Sequence, residues 1–208
     1  QSGTLSGTEV QALVHYLKTL HQVHESSYPW NQSMRVLNHE HIFRFPFDPK
    51  NHFDLDAIQP GLQALADPVK HHQDLKEKIQ ALGQIYLTEG EILIHGDFFP
   101  GSWLKTDSGI RIIDPEFSFR GFAEFDLGVL IAHLLLSGQP VRHRDAILEN
   151  CQKQRNLDEQ LIAGFCGTEV LRRLLGVAQL PLRWSILEKA SLIQTAIRSI
   201  LQGTLNAN

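Results

Sequence analysis

Apolar residues recur at helical spacing near the start of the chain and through most of its second half. From residue 8 onward they repeat every three or four positions, at Val10, Leu13, Val14, Leu17 and Leu20. This spacing predicts an amphipathic helix over 8–24, with Thr8 and Gln11 as its capping box. The same periodicity predicts helices over 68–87, 122–137, 141–151, 158–176 and 184–202. The pattern is therefore typical of a mostly helical protein.

Five prolines mark the segment between the first two predicted helices, residues 28–68. Proline lacks the backbone N–H and favours turns, so this segment is predicted to form loops with one short helix around 55–65. Pro68 closes the segment. We expect it to occupy the first turn of the helix over 68–87, where a missing N–H costs no hydrogen bond.

Two short apolar runs interrupt the helical pattern. EILIH (residues 91–95) and GIRIID (residues 109–114) are both typical of buried strands. The sequence TDSG (residues 106–109) lies before the second run and is a turn signal. We expect the two runs to pair as a β-hairpin whose outer ends bring Asp97 and Asp114 together.

Acidic residues follow both of these predicted strands and are candidates for a metal site and a catalytic base. Asp114 and Glu116 flank Pro115, which fixes φ. In an extended chain, residues two apart face the same way, so both carboxylates are predicted to chelate one hard cation. Mg²⁺ is usually held by one or two carboxylates together with substrate phosphates. Asp97, within His-Gly-Asp, is placed to accept a proton from a hydroxyl, and a base beside a metal clamp is the equipment for phosphoryl transfer.

Each of these signals taken alone has a plainer interpretation. An isolated Asp97 is more often a turn or cap residue, and an isolated Asp-Pro-Glu is more often a solvated loop. We favour the functional interpretation because strand, His-Gly-Asp, loop, turn, strand and Asp-x-Glu occur together in one short stretch.

Composition narrows the class of protein. The chain has 208 residues, which suits one domain or one large lobe. Its net charge of −4 argues against a nucleic-acid partner, and no apolar run approaches the roughly 20 residues that span a bilayer. The cysteines Cys151 and Cys166 are far apart, which favours reduced thiols and a cytoplasmic protein. His21 and His24 share a helix face, but no third metal ligand is evident, so we interpret them as surface or partly buried histidines.

Three stretches carry a resemblance to a known family. They are IHGDFFPGSWL (94–104), IRIIDPEFSFRGFAEFDLG (110–128) and GFCGTEVLRRLLGVA (164–178). They resemble the aminoglycoside phosphotransferase and choline kinase superfamily, and within it the methylthioribose kinases. The resemblance implies an α+β, protein-kinase-like fold. Residues 1–208 would be its mostly helical C-terminal (large) lobe, with a small β-hairpin carrying the catalytic loop and the metal site.

The same fold requires a second lobe. No strand lysine or glycine-rich phosphate loop is found in this sequence, so we expect the N-terminal nucleotide-binding lobe to be absent from this chain. The chain starts at Gln1 and its only methionine is Met34. We therefore expect further residues upstream.

The resemblance also implies roles at the phosphoryl-transfer site. Asp97 matches the catalytic aspartate that orients or deprotonates the attacking hydroxyl. Asp114 and Glu116 match the Mg²⁺-binding pair. Ser102 stands where most relatives have a metal-ligand Asn.

Four other residues match supporting or substrate-binding positions. His95 matches a histidine that shapes the catalytic loop, and Asp126 matches an aspartate that braces that loop from a helix. Arg172 and Arg173 match twin arginines near the sugar substrate. Adjacent helix residues diverge by about 100°, so we expect one arginine to face the site and the other to brace it.

The implied function is phosphorylation of a small-molecule hydroxyl with Mg²⁺ and with ATP as co-substrate. Methylthioribose is the leading acceptor, and a homodimer is left open. The chain departs from methylthioribose kinases at Phe98-Phe99-Pro100, at Arg120 and at Gln179, near the expected acceptor pocket. Two alternatives therefore stand: an aminoglycoside- or choline-type phosphotransferase with another substrate, or a non-catalytic kinase-like lobe that binds a metabolite or a partner protein.

Overall fold

Helices make up most of the molecule. The computed structural model describes residues 4–152 and 157–205, and the side chain of Cys151 lies outside the described part. The α-helices of the described residues are α1 (Gly7–Leu20), α2 (Gln32–His39), α3 (Leu62–His71), α4 (Gln73–Leu87), α5 (Ala123–Leu136), α6 (Val141–Gln152), α7 (Glu159–Leu175) and α8 (Ile186–Gln202). The strands are β1 (Ile92–Ile94), β2 (Trp103–Thr106), β3 (Gly109–Ile112) and β4 (Phe119–Gly121). The prediction of a mostly helical chain with little sheet is confirmed.

The first helix begins earlier and ends earlier than predicted. Its capping box is formed by Ser6 and Glu9 rather than by Thr8 and Gln11. The Ser6 N–H donates to the Glu9 carboxylate at 2.8 Å, and the Glu9 N–H donates to the Ser6 hydroxyl at 3.2 Å. A carboxylate is a stronger acceptor than a Gln amide and also favours the positive helix N-terminus, which explains the choice.

Pro68 lies inside α3 and does not begin a helix, so that prediction was wrong. The chain instead leaves the helical conformation at His72, where ψ is 103°, and α4 begins at Gln73. The imidazole of His72 caps α4 by accepting the Leu75 N–H. The short helix expected around 55–65 is accordingly α3, shifted towards the C-terminus.

The proline-rich segment contains more helix than its composition indicated. Helix α2 continues into a π-helical turn, Glu40–Arg44, and a 3₁₀ turn, Phe45–Phe47. Pro29 precedes this helical run and Pro46 lies within its 3₁₀ turn, so neither proline interrupts the interior of α2. Ile42 and Phe43 are buried and attach the segment to the core.

The strand pairing differs from the predicted hairpin. Strand β3 pairs with β2 across the Thr106–Gly109 turn, whereas β1 pairs with β4, both antiparallel. The pairing of EILIH with GIRIID was therefore wrong, although the turn at TDSG was correctly placed. The missed strand β2 exposes Leu104 and Lys105, so it lacks the apolar signature of a buried strand.

The core is a helical layer that supports the site. Helix α5 is buried on nearly every side, which its continuous apolar sequence requires. It packs against α7, which packs in turn against α8. A Cβ added at Gly128 of α5 would lie 2.7 Å from the Phe165 side chain on α7, so glycine permits this close approach. Within the described residues, no helix has the length and apolar character needed to cross a membrane.

Candidate active site

The loop after β1 and the loop after β3 meet at Gly96. Its φ is +82°, and an added Cβ would lie 2.1 Å from the carbonyl oxygen of Phe117. Only glycine fits this approach without displacing the backbone. The loops that carry Asp97 and Asp114 are thus brought together, as expected, but through a different topology from the predicted hairpin.

Asp126 holds the first of these loops from beneath. This fully buried residue of α5 accepts the His95 N–H at 2.8 Å through Oδ2 and the Gly96 N–H at 3.0 Å through Oδ1. Its Oδ2 also lies 3.0 Å from Nε2 of His21, which follows α1. A carboxylate only accepts hydrogen bonds, so His21 is the donor. These are the contacts that a bracing residue requires.

His95 links the two loops. Its Nδ1 accepts the Asp97 N–H at 3.4 Å, and its Nε2 lies 3.1 Å from the Ile113 carbonyl oxygen. This pattern assigns the proton to Nε2. Buried Ser102 donates its hydroxyl to the Asp97 carbonyl at 3.1 Å, and the Ile113 N–H donates to the Ser102 carbonyl at 3.0 Å. His95 and Ser102 therefore fix the backbone on both sides of Asp97.

The carboxylate of Asp97 receives both twin arginines. Its Oδ1 accepts Nη2 of Arg172 at 3.0 Å and Nη2 of Arg173 at 3.3 Å. The structure corrects the expectation that one arginine faces the site while the other braces it, since both guanidinium groups reach the same oxygen. Both arginines are buried, whereas Asp97 remains partly exposed. A substrate can therefore reach the aspartate but not the rear of the arginine pair.

Glu169, which the sequence analysis did not single out, lies behind the two arginines. It accepts Nε of Arg172 through Oε2, and Nε of Arg173 at 2.8 Å through Oε1. Burial would raise the pKa of Glu169, but the two guanidinium groups outweigh burial and hold it well below its usual range. His133 of α5 donates Nε2–H to Glu169 at 2.9 Å. Burial lowers the pKa of His133, so this imidazole is neutral.

Asp114 and Glu116 do not have the extended geometry that was predicted. Asp114 adopts a left-handed conformation with φ 58°, and Pro115–Phe117 forms a 3₁₀ turn. The argument that both carboxylates face the same way because the chain is extended is therefore wrong. A left-handed residue before proline is unfavourable, and such strain concentrates at functional positions. Both carboxylates are exposed, so solvent and ligands can reach them.

The asparagines of the α2 segment hold both loops and were missed from sequence. Asn31, which precedes α2, donates to the carbonyls of Glu116 at 2.7 Å and Ser118 at 3.0 Å. Asn38 donates to the Gly96 carbonyl at 3.1 Å. Asn31 has a left-handed conformation (φ 51°) and lies outside α2, whereas Asn38 lies within it. The two asparagines are therefore not related by helical spacing, and no local sequence pattern marked them.

His21 and His24 were interpreted from the sequence as surface or partly buried histidines rather than metal ligands. His21 is committed to Asp126, and the described residues contain no group of three or more His, Cys, Asp or Glu side chains placed to hold a metal ion. A two-carboxylate Mg²⁺ site needs no such group, because the phosphates of a nucleotide supply the remaining ligands.

The positions that depart from methylthioribose kinases fall in three places. Phe99 covers Arg173, whose Cζ lies 4.5 Å from the ring centroid, so this departure borders the site. Arg120 pairs with Glu89 at β4, and Gln179 donates to carbonyls at the end of α7. Phe99 is therefore the departure that touches the arginine pair directly.

The sequence also matches a known protein family. The phosphotransferase enzyme family, APH, matches residues 2–164. The chain belongs to the APH phosphotransferase family. This assignment confirms the resemblance to the family; the match covers the stretches 94–104 and 110–128 and ends where the third stretch, 164–178, begins.

Individual relatives bear the name methylthioribose kinase. The protein from Exiguobacterium sibiricum is 29% identical over 164 residues, which cover 63% of this chain and 42% of the relative. One from Bacillus cereus is 28% identical over 189 residues, covering 75% of this chain and 48% of the relative. Another, from a second B. cereus strain, is 41% identical over 90 residues, covering 43% of this chain and 23% of the relative. The chain spans less than half the length of these relatives.

Proposed function

We propose that this APH-family chain is the mostly helical C-terminal lobe of a protein-kinase-like enzyme that phosphorylates a hydroxyl of a small molecule. The observation that carries the proposal is the placement of Asp97. It is partly exposed at the end of β1, on a loop anchored by Asp126, with two guanidinium groups against one of its oxygens. A base and positive charge at one point suit phosphoryl transfer, in which positioning and electrostatic stabilisation supply most of the catalysis.

Asp97 would act as the base. Its Oδ1 is occupied by Arg172 and Arg173, which leaves Oδ2 to accept the proton of the acceptor hydroxyl. The two arginine contacts fix the rotamer of the Asp97 carboxylate. As the hydroxyl oxygen attacks, the same guanidinium groups would stabilise negative charge that develops beside Asp97.

Asp114 and Glu116 would hold Mg²⁺, together with Ser102, whose buried hydroxyl donates its proton to the Asp97 carbonyl and so would offer only its oxygen lone pairs. All three offer the hard oxygen donors that this ion prefers, and the exposed carboxylates leave room for the phosphates of ATP. When bound, the ion neutralises charge on the nucleotide phosphates. The chain would position the two carboxylates through the strained turn at Asp114. Asn31 holds this turn by donating to the carbonyl of Glu116.

The charge of the site favours a neutral acceptor. Arg172 and Arg173 carry two positive charges, which the carboxylates of Asp97 and Glu169 match, while His133 is neutral. Because these four charges cancel, an ammonium group at Asp97 would gain no net attraction to offset the cost of its desolvation. A neutral sugar hydroxyl meets no such penalty. This favours a sugar, with methylthioribose as the leading acceptor because the relatives carry that name, over choline or an aminoglycoside.

Phosphorus NMR on the complete protein with Mg-ATP tests this function. Methylthioribose, choline and a cationic aminoglycoside are offered separately at equal concentration. We expect a new phosphate-ester signal with methylthioribose alone. Transfer to the cationic acceptors only would overturn the charge argument, and transfer to none of the three would count against the proposed acceptor.

A further inference from the structure

We infer that Glu169 is a positioning residue, which orients the two arginines towards Asp97 and keeps the acceptor site electrically neutral. The inference rests on the proposed function and adds to it the determinant of acceptor charge. It starts from a geometric problem, because consecutive residues on a helix point in directions about 100° apart. Arg172 and Arg173 nevertheless donate to the same oxygen of Asp97.

The position of Glu169 on α7 resolves this problem. Arg172 is three residues after it and Arg173 is four residues after it, so the arginines flank Glu169 on either side of the same helix face. Both guanidinium groups can therefore reach one carboxylate placed between them. An acid at any other spacing before the pair would contact one arginine at most.

Each guanidinium group is divided between the two acids. The Nε atoms of both arginines donate to Glu169, and their Nη2 atoms donate to Asp97. Nη2 of Arg172 also donates to Oε1 of Glu169 at 3.2 Å. The group is planar, so fixing Nε fixes the direction of Nη2. Glu169 thus determines where the arginines present their donors without itself contacting the acceptor.

The rest of the pocket keeps Glu169 in place. The side chain is 1% exposed, so solvent cannot replace a lost partner. His133 donates to it from α5, and the ring of Phe99 contacts both the ring of His133 and the guanidinium group of Arg173. Without the charge of Glu169, two guanidinium groups would face the single carboxylate of Asp97. The site would then carry a net positive charge that attracts anions.

Glu169→Gln in the complete protein tests the inference, because it removes the charge and keeps the side-chain size. We expect kcat for the neutral sugar to fall by about 100-fold, since the arginines lose their direction. We also expect inorganic sulfate to become a competitive inhibitor against the acceptor and to raise the melting temperature. Glu149→Gln, on the exposed side of α6, is the matched control and should change none of these.

Glu169→Asp separates charge from geometry. It keeps the charge but is one methylene too short to hold both arginines, so kcat should fall while sulfate affinity stays at the wild-type level. This variant also decides the question if Glu169→Gln does not fold. Wild-type kcat and no gain in sulfate affinity in Glu169→Gln, or wild-type kcat in Glu169→Asp, would overturn the inference.

The sulfate titration of thermal unfolding requires no turnover. If the wild-type protein phosphorylates no acceptor, the proposed function fails, but sulfate binding that appears only in Glu169→Gln still supports the role of Glu169 in charge balance. If the wild-type protein turns over and the variant matches it in every measurement, the inference fails and the function stands.

Discussion

Replacing Asp126 by Asn should detach the catalytic loop from the core. The carboxylate is fully buried and receives three donors, which are the N–H groups of His95 and Gly96 and Nε2 of His21. An Asn side chain has one acceptor oxygen, and its NH₂ group would face at least one of these donors. The variant therefore loses at least one hydrogen bond to a charged group and leaves a buried N–H unpaired.

The expected loss in free energy of unfolding follows from the number of hydrogen bonds that Asp126 accepts. A hydrogen bond to a charged group contributes about 1.5–3 kcal/mol, and an unsatisfied buried donor costs about 1–3 kcal/mol. Asp126→Asn should thus lower the free energy of unfolding by about 3–5 kcal/mol. Because Asp97 is attached to the same backbone, turnover should also fall by about 100-fold.

Urea unfolding of the complete protein measures the first effect, and steady-state phosphoryl transfer measures the second. Asp107→Asn, the same chemical change in the exposed turn between β2 and β3, serves as the control and should shift unfolding by less than about 0.5 kcal/mol. An Asp126→Asn variant as stable and as active as this control would refute the bracing role.

Three further predictions follow from individual residues. Asp114→Asn, which tolerates the left-handed backbone, should weaken Mg²⁺-dependent ATP binding at least about tenfold in titration calorimetry, because it removes one metal carboxylate; unchanged binding would exclude the metal role. Burial holds the pKa of His133 below the unfolded value of about 6.5. Folding stability should therefore fall as pH drops below that value, because the unfolded chain takes up a proton that the folded chain does not. His133→Gln should reduce the slope of stability against pH in urea titrations between pH 7 and pH 5, and an unchanged slope would contradict the neutral state of His133. Burial also raises the pKa of the Cys166 thiol, so in a Cys151→Ser background maleimide should label it only after denaturation; rapid labelling of the native protein would show that the thiol is accessible.

The predictability of the helices depended on how their ends are encoded. Helix α7 was placed to within a residue because Asp158 caps its start and Gly176 follows its end. Helix α5 was also placed closely, since a continuous apolar run of that length is typical of a buried helix. Pro68 was misleading because proline is a start signal only when the preceding residues are not already helical.

Parts of the site that short sequence motifs encode could be predicted, whereas parts that depend on tertiary contacts could not. His-Gly-Asp and Asp-Pro-Glu marked two loops that do meet, because each motif closes a strand. Glu169 was missed although its spacing before the arginine pair was visible, since a single sequence does not reveal which helix acids are buried. The pairing of β1 with β4 rather than β3 is likewise a long-range choice, which local apolar patterning does not encode.

Single-turnover transfer from Mg-ATP by the complete protein carrying Asp97→Asn tests the central claim most directly. Methylthioribose is the acceptor, and Asp107→Asn is the control. If Asp97 accepts the hydroxyl proton, transfer should slow by several orders of magnitude, with ATP affinity within about threefold of wild type. A variant that transfers phosphate at the rate of the control would contradict the claim that Asp97 is the base.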